Sequence, residues 1–265
     1  MRQPKLQIAG LSKYFLSHDG EPRKVLDSID IEIADSEFVC IVGASGCGKT
    51  TLIRLIAGLI PAEEGEVKID GRRVDGPGGN RGFVFQNDSL LPWRTVLDNV
   101  VFGLEVRGET PAQTRAPAES MLKLVGLAGF GDHYPNELSG GMRQRVNLAR
   151  ALAIDPEVLL MDEPFSALDS QTREIMQREL LQIWEQRRKT VLFITHQIDE
   201  AVYLADRVLV LSSHPGRLAA DIRISFERPR DLRLKRSPEF LAYVDRIWAL
   251  IEQEVVSAMQ GGSPE

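Results

Sequence analysis

Apolar and polar residues alternate along roughly the first forty positions, most clearly at Ile29, Ile31 and Ile33, which is the period of half-buried strands. The alternation gives way to an unbroken apolar run, Phe38-Val39-Cys40-Ile41-Val42, that reads as a buried central strand. A glycine-rich loop follows, and after it Leu52, Ile53, Leu55 and Ile56 recur at helical spacing with Gly58 as the stop. Strands near 65 to 69 and 82 to 85 are expected to bracket a hairpin-type turn at Asp70-Gly71.

From about Asn87 to Leu138 the period becomes helical, through Val96, Val100, Val101 and Leu104 and later Met121, Leu122 and Val125, so an inserted helical lobe is expected there. Pro117 lacks a backbone donor and fits only a first turn, so the pattern predicts two shorter helices rather than one. Beyond the lobe, strands near 158 to 161, 190 to 194 and 207 to 211 alternate with helices near 141 to 152, 170 to 188 and 197 to 204. This rhythm implies an α/β fold with a mainly parallel sheet flanked by helices. The terminal Gln-Gly-Gly-Ser-Pro-Glu is expected to fray.

With 265 residues, 43% of them hydrophobic, one elaborated domain or one domain with an inserted lobe can build its own core. A net charge of −6 argues against a general nucleic-acid binder. The two cysteines, Cys40 and Cys47, show no metal-ligand spacing and suit a reducing cytoplasmic setting. No signal-peptide pattern opens the sequence, and no window reaches the roughly 20 apolar residues of a membrane span. At a membrane the chain would act as a peripheral subunit.

The loop Gly43-Ala44-Ser45-Gly46-Cys47-Gly48-Lys49-Thr50, continued by Thr51, fits the phosphate-binding pattern G-x-x-x-x-G-K-[ST] between a strand and a helix. Gly43, Gly46 and Gly48 let backbone N–H groups converge on phosphates, Lys49 would reach the β and γ phosphates, and Thr50 would offer its hydroxyl to Mg²⁺. Downstream, Val158-Leu159-Leu160-Met161-Asp162-Glu163 is an apolar strand ending in two carboxylates. Taken with the loop, Asp162 would hold Mg²⁺ and Glu163 would act as general base on an attacking water.

Leu138-Ser139-Gly140-Gly141-Met142-Arg143-Gln144 then decides between families, since a P-loop kinase has no use for it. With this LSGGMRQ signature the chain resembles the ATP-binding cassette (ABC) ATPases over roughly residues 5 to 212, departing only at Met142, where glutamine is commoner. The resemblance implies a P-loop NTPase fold with an N-terminal antiparallel β-subdomain and an inserted α-helical subdomain at about 87 to 138, followed from 213 by a short extension. It also implies that Ser139, Gly140 and Gly141 complete the ATP pocket of a second copy in a head-to-tail dimer. Gln86 matches the glutamine that contacts Mg²⁺ or the attacking water, Asp169 the loop crossing the dimer interface, and His196 the switch histidine on the γ-phosphate. Of Tyr14 and Phe15, Phe15 is favoured as the residue stacked on adenine, with core packing as the alternative.

Within the family, the stretch Gln86 to Trp93 and the segments Arg228 to Asp231 and Ser237 to Phe240 look like the nitrate/sulfonate/taurine importer branch. The expected partners are therefore integral membrane permease subunits, with Leu90 to Trp93 near the permease's coupling helix, and indirectly an external solute-binding protein. The expected location is the cytoplasmic face of the inner membrane. The alternative, a soluble non-transport ABC ATPase, calls for tandem cassettes or a long coiled-coil insertion that this length does not hold. Phe240, Val244, Ile247, Trp248, Ile251 and Val255 form one helical stripe expected to pack on its own domain, and the basic strip Arg228 to Arg236 reads as a solvated surface.

Overall fold

The apolar run Phe38 to Val42 is buried at every position, as a strand with neighbours on both sides requires. It belongs to β3 of the computed structural model, which describes residues 3–17, 19–213 and 215–261 and side chains as far as residue 254. Val255 of the C-terminal stripe, as a side chain, and residues 262–265 of the expected frayed end lie outside the described residues. In chain order the elements are β1 (Leu6–Leu16), β2 (Pro22–Ile33), β3 (Phe38–Gly43), α1 (Lys49–Ala57), β4 (Glu64–Ile69), β5 (Arg72–Arg73) and β6 (Arg81–Val84). Next come α2 (Val96–Val106), α3 (Pro111–Leu124), α4 (Gly140–Ala153), β7 (Val158–Asp162), α5 (Ser170–Arg187), β8 (Thr190–Ile194), α6 (Ile198–Leu204), β9 (Arg207–Leu211), β10 (Leu218–Arg223) and α7 (Pro238–Gly261). The chain divides into two compact units, Met1–Pro77 with Thr190–Glu265, and Gly78–Lys189.

In the first unit β3 runs parallel to β8 and β9, and β10 adds an antiparallel strand beside β9. The apolar, β-branched residues of β3, β8 and β9 fill the centre of this unit. A separate antiparallel sheet has the order β2-β1-β4-β5, with Leu6, Ile8 and Leu11 of β1 and Ile29, Ile31 and Ile33 of β2 buried. Asp70 and Gly71 both take positive φ, 48° and 72°, as a two-residue hairpin turn of type I′ demands. The turn joins β4 to the two-residue β5, which corrects the expectation of a hairpin between 65 to 69 and 82 to 85. Such a turn leaves its partner strand no distance to travel, whereas β6 starts later and pairs in parallel with β7.

The C-terminal stripe divides in two. Phe240 and Ile247 are buried, with Phe240 stacked 6.1 Å from Phe226, while Trp248 remains 59% exposed. The basic strip is a solvated surface only in part: Arg233 and Arg236 are exposed, but Arg228 and Arg230 are drawn inside. The Arg230 and Arg228 side chains are 1% and 10% exposed, because their guanidinium groups donate to backbone carbonyls at the end of α6.

In the second unit α2, α3 and α4 pack on one another, and Val100, Leu104, Ala118, Leu122, Val146 and Ala149 on these helices are all buried. Two helices form, yet the break falls between Val106 and Pro111, and Pro117 sits inside α3. This corrects the expectation that the proline fits only a first turn. Pro117 and Gln113 are both exposed, so the carbonyl deprived of its donor faces water and the cost stays modest. Pro117→Ala restores that hydrogen bond and should raise stability by about 1 kcal/mol, read as a higher urea midpoint at unchanged slope.

Candidate nucleotide site

β3 delivers the chain into the loop 43–48, and α1 begins directly at Lys49. Gly46 and Gly48 lie in the left-handed region, at φ 80° and 96°, which turns successive N–H groups toward the loop's concave side. Ser45 and Gly46 are exposed, so that side opens to solvent. Lys49 is 6% exposed and its ammonium donates to Gly43 O at 2.8 Å and Ala44 O at 3.0 Å. The buried cation is thus held against the loop it follows. Burial raises the pKa of the neighbouring Cys47 thiol, which keeps it protonated.

The loop is backed closely from behind. A Cβ on Gly43 would stand 2.7 Å from Leu211 O, and one on Gly48 2.7 Å from Leu26 Cδ2. Gly216 approaches the Cys47 carbonyl so closely that a Cβ there would collide with it, and its backbone pairs with Val25 and Asp27. No sequence motif marks Gly216. Its only signal would have been a glycine just beyond a buried strand, which is too common to single out.

Ile194 of β8 lies opposite Ile41 of β3 in parallel register, so His196 emerges at the same sheet edge as Gly43. This is the carboxyl edge of parallel strands, where open α/β sheets bind ligands. His196 is exposed, and its backbone is fixed by Thr195, whose N–H donates to Ile41 O and whose hydroxyl accepts from Gln197 N. Phe15 is 44% exposed rather than packed in the core. It lies opposite Arg23, which lines a cavity of about 270 Å³ with Lys24, Val25 and Gly46. Tyr14 is less open, with the Lys24 ammonium 5.1 Å from its ring centre.

The second unit holds the remaining residues. β6 and β7 are parallel with Val84 opposite Met161, so Gln86 and the pair Asp162 and Glu163 leave from the same edge. Asp162 is 7% exposed at the last position of β7. Glu163 turns away from extended geometry at φ 45°, and its carbonyl accepts from the Ser166 N–H and hydroxyl at 3.2 and 2.9 Å. Buried amides of α4 secure both strand ends. Gln144 donates to Pro164 O, and Asn147 donates to Phe85 O at 3.3 Å. Arg150 donates to Ser89 O and Asp88 O, and Arg143 to Asp88 Oδ2 at 2.7 Å, so the segment after Gln86 is pinned along one face of α4.

Ser139 is the N-cap of α4, its hydroxyl accepting from Met142 N at 3.3 Å. Asp169 is the N-cap of α5 and accepts from the Gln171 and Thr172 amides. The two helix starts are neighbours, since a Cβ on Gly141 would lie 3.0 Å from Thr172 Cγ2. Ser139 to Gly141 and Asp169 therefore share one surface of this unit.

The family model described as "ABC transporter" matches residues 26–166. The chain belongs to the ABC transporter ATP-binding family. It is 52% identical over 256 residues to an uncharacterized ABC transporter ATP-binding protein of Methanocaldococcus jannaschii, spanning 97% of this chain and 94% of that one. It is 47% identical to a taurine import ATP-binding protein of Rhizobium johnstonii over 93% of this chain and 96% of the relative. A nitrate import ATP-binding protein of Synechocystis is 48% identical over 93% and 94% of the respective chains. Among solved structures, a dimeric ATP-binding cassette in a post-hydrolysis state with ADP and Pi aligns at a TM-score of 0.72 and 32% identity, covering 84% of this chain and all of that one. The chain is thus an ABC-family ATPase, in agreement with the family resemblance carried by its signature.

Two measurements test this geometry. Gly216→Ala should push the phosphate loop out of shape and weaken ATP binding about tenfold, some 1.4 kcal/mol, in a fluorescent-nucleotide titration. Asp169 is held below the ordinary carboxylate pKa by the Thr172 hydroxyl and then by the Thr172 and Gln171 amides. A depressed folded-state pKa gives stability that is present above the unfolded value of 3.8 and lost as pH falls through the folded value. The denaturant midpoint of Asp169→Ala should therefore lie below wild type at neutral pH, with the gap closing under acid.

Proposed function

We propose that this chain is the ATP-hydrolysing subunit of an importer for a small solute of the nitrate, sulfonate or taurine kind, acting peripherally on the cytoplasmic face of a membrane. In this reading residues 1–212 form the ATPase domain, with the helical subdomain at about 87–138, and residues 213–265 form an extension. The observation that supports the proposal is that Ser45 and Gly46 of the loop on one unit and the Ser139-capped start of α4 on the other are exposed, as two anion-binding helix starts would be. A head-to-tail dimer would join the loop of one copy to Ser139, Gly140, Gly141 and Asp169 of the next. The dimeric state of the solved cassette supports this. Among the described residues no helix is long and apolar enough to cross a membrane, so transport would require permease subunits. The exposed Trp93, 72% accessible in the segment pinned by α4, suits a contact with such a partner.

Gly43 to Thr51 would bind the phosphates, with Phe15 stacked on the base. On binding, Lys49 would exchange the Gly43 and Ala44 carbonyls for β and γ phosphate oxygens. Thr50, Gln86 and Asp162 offer the neutral and anionic oxygens that suit Mg²⁺, which takes one or two carboxylates and completes its shell with phosphate and water. Bound there, Mg²⁺ would neutralise charge developing on the phosphates. Glu163 would accept the proton of the attacking water, Gln86 would orient that water, and His196 would donate a hydrogen bond to the γ-phosphate.

Glu163→Gln should keep ATP affinity, lose about 10²-fold or more in turnover, and accumulate dimers with ATP in light scattering. Wild-type turnover in that variant rules out Glu163 as the base. Expressed with its permease, the wild-type chain should co-purify with it in membranes; recovery without any permease would remove the importer reading and leave the ATPase reading intact.

A further inference from the structure

We propose that Arg230 is a positioning residue for His196, closing the end of the helix that follows the histidine and so fixing where that histidine stands. The inference rests on the proposed role of His196 and assigns a task to the C-terminal extension.

α6 has only seven residues and begins two positions after His196. Its last carbonyls have no intrahelical donors, and a helix this short has little rigidity of its own. The extension supplies the missing donors. Arg230 Nη1 reaches Tyr203 O and Ala205 O at 2.8 Å each, and Val202 O at 3.4 Å. Arg228 Nη2 takes the intervening Leu204 O at 2.7 Å. Four consecutive carbonyls are thereby covered by two cations at the negative end of the helix. In return, the Tyr203 hydroxyl donates to Arg230 O at 3.1 Å.

The other end of α6 is held too. Lys235 donates to Asp199 in the first turn at 3.1 Å, and its ammonium lies 5.3 Å from the Tyr203 ring centre. Arg228 also pairs at 2.8 Å with Asp206, whose second carboxylate oxygen accepts from Phe38 N at the start of β3. One short segment, Arg228 to Lys235, therefore clamps the helix after His196 and ties it to the strand that carries the phosphate loop. Burial lowers the Arg230 pKa to about 10, so the group remains a cation at neutral pH but occupies a site that discourages charge. A surface arginine serving solubility alone would not be placed there.

The test compares steady-state ATP hydrolysis and nucleotide affinity of the 265-residue chain in a mutant cycle. Arg230→Met should lower kcat about tenfold with KM and ATP affinity within about twofold of wild type, and Arg230→Lys should recover part of the loss. In the His196→Ala background, Arg230→Met should cause no further loss in single-turnover rate. Equal losses in both backgrounds, or a fall in ATP affinity that matches the fall in kcat, would overturn the proposal in favour of a purely structural role. Should Arg230→Met fail to fold, Lys235→Met decides: a roughly threefold loss in kcat confined to the His196 background supports the clamp, and unchanged kcat overturns it. Wild-type activity in His196→Ala removes the underlying reading; an inactive His196→Ala beside fully active Arg230 and Lys235 variants removes the clamp alone.

Discussion

A lysine ammonium in the interior must be met by oxygen atoms, and in this protein the oxygens come from the glycine-rich loop that precedes the lysine. Lys49 lies across the carbonyls of Gly43 and Ala44, so the cation and the loop stabilise each other. Much of the first unit exists to keep that loop in shape. β3 is buried between two parallel neighbours, Leu211 and Leu26 close the space behind Gly43 and Gly48, and Gly216 brings a second backbone against the Cys47 carbonyl. Gly48, at a left-handed φ of 96°, is backed this closely, and a side chain there would have no room.

Parallel register supplies the second ordering principle. Strands that run the same way end at the same edge, so one edge of the first unit carries the glycine-rich loop and His196, and one edge of the second carries Gln86, Asp162 and Glu163. On the second unit α4 does more than present its capped start. Its buried Gln144 and Asn147 amides hold the backbone after β7 and at the end of β6. A displacement of α4 would therefore be felt at both strand ends, which couples this helix mechanically to the backbone beside Gln86 and Glu163.

The C-terminal extension plays a comparable part on the first unit. Arg228 and Arg230 lie under the end of α6, the aromatic residues Phe226, Phe240 and Tyr243 pack together, and Glu254 of α7 accepts from the Ser213 amide beyond β9. These contacts bind the residues after β9 to α6 and to the start of β3 rather than leaving them as an appendage.

Features governed by near neighbours in the chain could be read directly from the sequence. The alternation at Ile29 to Ile33, the apolar runs of β3, β7, β8 and β9, and the glycine-rich loop all encode structure within a few residues, because pleat and helix pitch act over that distance. The signature at Leu138 to Gln144 carried the family with it. Other features required the fold. Nothing near Gly216 reveals that the Cys47 carbonyl will press against it, and nothing near Arg228 and Arg230 announces that unfilled carbonyls of α6 will draw charged side chains inside. The hairpin partner of Asp70-Gly71 and the tolerance of α3 for Pro117 were likewise settled by strand pairing and by solvent at Gln113. Burial and hydrogen-bond satisfaction are properties of the assembled surface, so a residue's local pattern cannot disclose which distant backbone atoms it will have to serve.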